Sequence, residues 1–319
     1  MALKPIENGL SVAHLDKESP PPDNGTIVAG NVPSYYWYYG CSPTSGGMIV
    51  GYWDSKPGYQ NLFYGDASVQ NAATRAMIAS PAHITAGAQN GYTYGDWHNS
   101  ASYPNHESNP DCIADFMHTV DGGSTSANIA SGLEAYVEWD NPATPINESY
   151  QATALNIDDP YWGGGTFTYS NLKAEINADR PVLLDLLTYH TSQWYGHSIA
   201  CYGYQDNMFT IYSIATSSNI IVPGIAVDDT WQNGTAMSEW LVDTNNDGIA
   251  DSYFPSYIDP SGVEWWPYYT LTDSGGSSFV NYWDWIFSDA VTLDIVIPEP
   301  ATICMFALGV LGLLTKRKA

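Results

Sequence analysis

The hydrophobic pattern of this chain changes character several times along its length. Residues 1–30 are polar and proline-rich, with Pro20-Pro21-Pro22 and no periodicity, and read as an extended arm. An aromatic cluster from Tyr35 to Tyr39 then runs into Gly40-Cys41. Ser42-Pro43-Thr44-Ser45 precedes a small apolar run from Gly46 to Tyr52, which predicts the N-terminus of a buried helix with Met48, Ile49 and Tyr52 on its inner face. From residue 58 to 165 the chain is rich in Gly, Asn, Ser and Tyr, with helices predicted near Asn71–Ser80, Cys112–His118 and Ile129–Glu138. Phe167–Tyr169 reads as a strand and Asn171–Ala178 as a helix. After Arg180-Pro181 the strand signals gather: Val182–Leu187, His197–Tyr204, Met208–Ile214, Ala226–Trp231 and finally Val291–Ile297, with a turn at Asn233-Gly234. No internal repeat is visible. A helix first and an antiparallel sheet later predict an α+β domain over 31–297, with an insertion at 58–165 and an Asp-rich, aromatic extension at 236–297.

Charge narrows the function. The 319 residues carry 34 acidic against 9 basic side chains, a net charge of −25. Three of the nine cations, Lys316, Arg317 and Lys318, stand together at the C-terminus. A nucleic-acid binder needs clustered cations to displace counterions from phosphates, and the body of this chain has none. Nucleic acid is therefore excluded as a partner. A 44% hydrophobic and 14% aromatic composition still predicts a folded protein.

The C-terminus has an order of its own. Pro298-Glu299-Pro300 is followed by the apolar run Ala301–Leu314, then Thr315 and the three cations. Fourteen residues of helix span roughly 21 Å, short of a bilayer core of roughly 30 Å, yet able to insert if the lysines snorkel. Residues 298–319 resemble the PEP-CTERM sorting signal of bacterial surface proteins. That resemblance implies export in a Gram-negative cell and a transient inner-membrane anchor. An exosortase would then process the chain, leaving it at the cell surface or in the exopolysaccharide matrix. Residues 1–30 hold no apolar run of the kind a secretory leader needs, so export is read from the C-terminal end.

Candidate chemistry rests on Cys41, His197 and Asp229. Cysteine attack on a carbonyl needs a thiolate, a proton-shuttling base, a group that orients the base, and oxyanion donors. Cys41 stands where a helix N-terminus would lower its pKa and aim its N–H at an oxyanion. His197 begins a strand after Gly196, and Asp229 closes a later one, with Asp228 beside it as the competing carboxylate. His197-Ser198-Ile199-Ala200-Cys201-Tyr202-Gly203-Tyr204 resembles the histidine strand of papain-like cysteine peptidases, and Asp229-Thr230-Trp231 resembles their Asn-Ser-Trp segment. Gly40-Cys41-Ser42-Pro43-Thr44-Ser45 is similar to the cysteine motif of the double-glycine-leader peptidase branch. The resemblance implies a papain-like fold in which a helix carrying Cys41 packs on a sheet carrying His197 and Asp229. It implies peptide or protein substrates, no cofactor for catalysis, and an oxyanion site built from the Cys41 N–H with Tyr35 where the family has glutamine. Two other readings share this frame: a catalytically inactive papain-fold matrix component, and an acyl transferase or amidase using the same Cys–His pair.

The chain carries several lesser signals. Asp243, Asn245, Asp247, Ile249 (through its carbonyl) and Asp251 offer oxygen ligands at alternating positions around Gly248, a candidate structural calcium loop without the usual terminal glutamate. The competing reading is an Asp/Asn-rich turn without metal. Cys201 reads as a packed core thiol or as a disulfide partner for Cys112, which would leave Cys41 as the lone thiol of the body. His83, His98, His106 and His118 show no close metal-ligand pair and read as ordinary. The Trp265-Trp266 and Tyr282–Trp285 clusters read as core, with a sugar-stacking face as the alternative.

Overall fold

The computed structural model of the protein describes residues 25–27, 32–84, 110–119, 123–139, 150–158, 167–190, 193–213, 218–230, 241–242, 252–253, 257–258, 262–268 and 286–297. Within them helices pack against an antiparallel sheet, an α+β arrangement, with a further helical turn at 81–84 beside the five named next. The helices are α1 (Cys41–Asp54), α2 (Ala72–Ile78), α3 (Ile113–Phe116), α4 (Ser126–Glu138) and α5 (Tyr169–Asn177). The strands are β1 (Gly25–Ile27), β2 (Gln151–Asp158), β3 (Val182–His190), β4 (Gln193–Ser213), β5 (Ser218–Asp228), β6 (Leu241–Val242), β7 (Ser252–Tyr253), β8 (Tyr257–Ile258), β9 (Glu264–Pro267) and β10 (Ile286–Val296). The main sheet runs β2-β10-β3-β4-β5-β9-β8, and β1 joins β4 beyond the end of β3.

Helix α1 is the centre of the core. Ser42 through Asp54 are all buried, so the helix has no solvent face and the predicted inner stripe of Met48, Ile49 and Tyr52 is one side of a wholly enclosed element. Such burial needs close approach. A Cβ on Gly46 would lie 2.5 Å from the tip of Met117, just beyond α3. On the other side α1 rests on β3 and β4, while α4 covers β2 and β10. Strand β2 lies at the sheet edge, and α4 shields two of its donors. Glu138 accepts from the Ala152 N–H at 3.1 Å and Glu134 from that of Ala154 at 3.3 Å, which blunts an edge that would otherwise invite pairing with another chain.

Three elements depart from the pattern-based expectation. Phe167–Tyr169 is not a strand: Thr168 caps α5 through Asn171, and the local side-chain hydrogen bonds win over the apolar alternation. The two strands expected at 197–204 and 208–214 are one long β4, because register shifts after Cys201 and Gln205 absorb the polar Gln205-Asp206-Asn207 break. β5 begins at Ser218, well before Ala226. The segment 58–165 supplies α2, α3, α4 and β2 to the same core as α1, and β10, from the C-terminal extension, lies between β2 and β3. The expected turn at Asn233-Gly234 lies outside the described residues.

Candidate catalytic site

Cys41 is the first residue of α1, and its backbone position is set by the turn before it. Thr44 Oγ1 donates to the Gly40 carbonyl at 2.5 Å and accepts from the Tyr38 N–H at 3.0 Å. Tyr39 takes a left-handed φ of 65°, and so does Thr230, at 68°, immediately after Asp229. The two turns are joined where the Trp37 N–H donates to the Thr230 carbonyl at 2.5 Å. The chain before the cysteine is thus stitched to the chain after the aspartate, 193 residues later.

The Cys41 sulfur sits at the point where β5 has already parted from β4. The last β4–β5 pair is Ala200 with Asp228, and the Ser198 N–H, two residues further along β4, is directed at the sulfur. Burial pushes the Cys41 thiol above its ordinary value and the nearby Asp185 charge adds to this, while the Ser198 amide and the neighbouring serine hydroxyls pull the other way. His197 is 3% exposed, and its Nε2–H donates to the main-chain carbonyl of Asp229 at 2.9 Å. Burial pushes the imidazole down to about 3, so it is neutral at pH 7. The structure therefore brings Cys41 to the residue beside His197, and brings His197 to Asp229 through the backbone of the latter. Asp229 itself is fully buried; Asp228 faces the Ser34 hydroxyl and is pushed up to about 7 by burial.

Tyr35 is placed elsewhere. Its buried hydroxyl donates to the Ala67 carbonyl and lies 2.8 Å from where a Cβ on Gly51 would stand. Gly51 is ten residues along α1 from Cys41, roughly 15 Å of helix rise. The oxyanion role expected for Tyr35 is not supported by this position, which leaves the Cys41 N–H at the helix start.

Sequence reasoning missed the polar chain behind the cysteine. Ser45 Oγ donates to the Ser198 carbonyl at 2.9 Å, and Ser42 Oγ lies 2.8 Å from Ser198 Oγ. Ser198 Oγ donates to Asp185 Oδ1 at 2.5 Å, so its single proton is used there and Ser42 is the donor to Ser198. Asp185 faces Asp289 across the β3–β10 ladder, and Ser126 at the start of α4 donates to Asp289 at 2.6 Å. Burial, with the Asp289 charge, pushes Asp185 up to about 7 against the lowering effect of the serine donors. The signal was present: Asp185 is the one polar residue in Val-Leu-Leu-Asp-Leu-Leu, a strand otherwise fit only for the core.

Of the other residues singled out by sequence, His98, His106, Asp243–Asp251 and Tyr282–Trp285 lie outside the described residues. Cys41, Cys112 and Cys201 are all thiols, so the disulfide between Cys112 and Cys201 is not formed; Cys112 pairs with Asp115, and the Cys201 thiol points at the Gly203 carbonyl. Cys41 alone of the three reaches the surface. Trp265 and Trp266 are buried in β9, as core. The acidic loop from Asp243 to Asp251 lies outside the described residues, although β6 and β7 pair antiparallel on either side of it.

Comparison with known protein families matches residues 296–318 to the PEP-CTERM protein-sorting motif. The motif implies recognition by an exosortase and export with a membrane-anchored transit step in a Gram-negative bacterium. Among the described residues no helix is long and apolar enough to cross a membrane, and residues 298–319 fall outside them. No curated protein matches the chain.

Proposed function

We propose that the protein is an exported cysteine hydrolase of papain-like architecture, acting on peptide bonds, with Cys41 as nucleophile and His197 as base. The observation that carries this reading is the placement of Cys41, the one surface-reaching thiol among the described residues. It stands at the start of a fourteen-residue helix, with the Ser198 N–H on its sulfur and the next residue of β4 an imidazole held by Asp229. With Nε2–H committed to the Asp229 carbonyl, Nδ1 is the atom that takes the Cys41 thiol proton. The sulfur then attacks the peptide carbonyl carbon, and charge develops on the carbonyl oxygen near the N-terminal end of α1. Collapse breaks the C–N bond, the amine leaves with the proton from His197, and water attacks the thioester with His197 as base to return free Cys41 and the acid. Because burial favours the neutral thiol and the neutral imidazole, proton transfer accompanies attack and does not precede it.

A peptidyl electrophile offered to the full chain tests this. Expected is labelling of Cys41 ahead of Cys112 and Cys201, lost in His197→Ala. Asp229→Asn should cost less than about tenfold, because the main-chain carbonyl of Asp229, which the substitution keeps, holds the ring; a triad that depends on its carboxylate loses about ten-thousandfold. Labelling without preference among the three thiols would overturn the proposal. A second reading, an inactive matrix component in contact with exopolysaccharide, is favoured by the near-complete burial of His197 and by Tyr35 turned to Ala67. Under it, Cys41 stays unlabelled at every pH at which the fold persists.

A further inference from the structure

A second thiol, imidazole and carboxylate meet in the core, apart from the Cys41 site. His83 lies beyond the end of α2, Cys112 is the N-cap of α3, and Asp115 lies three residues later on the same turn. All three are 0% exposed. The Asp115 carboxylate takes the Asp111 and Cys112 N–H groups at 3.0 and 3.2 Å, which aims it at both other side chains. Cys112 Sγ donates to Asp115 Oδ2 at 3.0 Å, and His83 Nδ1 lies 2.5 Å from Asp115 Oδ1. The ligand-type atoms of the three all fall within 4.8 Å of one another.

We propose that His83, Cys112 and Asp115 form a binding site for one divalent transition-metal ion, Zn²⁺ in the first place. Thiolate, imidazole and carboxylate together are a zinc donor set, and the Cys112–Asp115 spacing is that of a ligand pair on one helical turn. At Zn–S of about 2.3 Å and Zn–N or Zn–O of about 2.1 Å, tetrahedral ligands stand about 3.5 Å apart. The Cys112–Asp115 and His83–Asp115 contacts, at 3.0 and 2.5 Å, reach that separation by opening about an ångström or less, and the His83–Cys112 pair lies within the 4.8 Å span of the cluster. Charge closes as well. The ion displaces the Cys112 thiol proton to solvent, His83 binds it as the neutral imidazole, and its two charges balance one thiolate and one carboxylate in a core where unpaired charge is costly. A fourth position is left to water.

Outer contacts are in place to hold the ligands. Ser80 Oγ accepts from the His83 N–H at 3.1 Å, the Ser80 N–H is directed at the Cys112 sulfur, and the Tyr39 ring meets His83 edge-on at 4.6 Å between centroids. Tyr39 is two residues before Cys41, so an ion here stiffens the turn that presents Cys41. The site itself owes nothing to the reading of Cys41 as a nucleophile.

The test uses the full chain, refolded with and without Zn²⁺, then dialysed and analysed for metal. Expected is one zinc per chain, and, with Co²⁺ in its place, a thiolate-to-cobalt charge-transfer band. Cys112→Ser should abolish the band and cut retained zinc at least tenfold, whereas Cys41→Ala should leave both unchanged. Zinc should also raise the melting temperature of the wild-type chain, a readout that survives if the variants fail to fold. Wild-type protein that retains no zinc and shows no cobalt band would overturn the proposal, as would a band that persists in Cys112→Ser or vanishes in Cys41→Ala.

Discussion

At the scale of single residues, the candidate site shows buried groups held in their neutral forms. His197 is pushed down to about 3 and Asp185 up to about 7, each by burial first, from ordinary values of 6.5 and 3.8. Their effects on stability run in opposite directions. The imidazole stabilises the fold above about pH 6.5, and that contribution is lost as pH falls toward 3. The Asp185 carboxyl contributes most below about pH 4, and that contribution is lost as pH rises through 7. Asp185→Asn keeps an acceptor for Ser198 and removes the titration. The unfolding free energy of the variant relative to wild type should therefore climb steadily from pH 4 to 7 and level off above, by at most about 1.4 kcal/mol per pH unit. A difference that is flat across that range would show that Asp185 does not change its proton there. Asp185 was legible as an oddity in an apolar strand, but its partners were not. Ser42 and Ser198 are far apart in sequence, and nothing in the spacing of small hydroxyl residues announces that a helix and a strand will share them.

At the scale of elements, the chain gave away its helices better than its sheet. Local signals sufficed for α1, where proline beside serine and threonine opens a run of small apolar residues, and for α2, where Asn71 and Thr74 form a capping box. Helix α5 was legible for the same reason, while the strand predicted just before it was its cap. The sheet order was not legible, because β10, which begins at Ile286, enters between β2 and β3, which end at Asp158 and His190, and no local pattern carries that information. Close helix contacts are likewise a tertiary matter, and two glycines separate the cases. A Cβ on Gly46 meets the flexible tip of Met117 at 2.5 Å, whereas a Cβ on Gly132 meets the backbone of Phe116 and Met117 at 2.7 Å. Alanine gains roughly 1 kcal/mol of helix propensity at either site. Gly46→Ala should come out close to neutral once Met117 re-orients. Gly132→Ala should lose about 1–3 kcal/mol of stability, since α3 and α4 must move apart. Equal chemical-denaturation midpoints for the two variants would contradict this account of the helix contacts.

At the scale of the whole molecule, the boundary between fold and sorting motif is the informative feature. β10 ends at Val296, and the motif match begins at that same residue. The last residues of the strand are still tied down: the Tyr59 hydroxyl donates to the Ile295 carbonyl at 3.1 Å, and Ile297 packs beside Gly58. Ile295 and Leu293 are buried, and β10 pairs with β3 from Ile286 to Thr292 and with β2 from Asp289 to Val296. The described sheet thus keeps its last strand up to Ile297, and the sorting motif runs on from it through residues 298–319. Their removal takes away one acid and three bases, which moves the charge from −25 to −27. That change is small beside the self-repulsion already present, most of which ordinary salt screens. A chain ending at Ile297 should therefore melt within about 1 °C of the full-length protein at physiological salt, because it keeps every strand of the described sheet. A chain ending at Trp285 lacks β10, leaves β2 without a partner strand and uncovers the buried faces of β3 and α4. It should fail to fold, with no cooperative thermal transition. A large loss on cutting at Ile297 would mean that the C-terminal segment belongs to the core, and that its removal during export would have to be matched by a second source of stability.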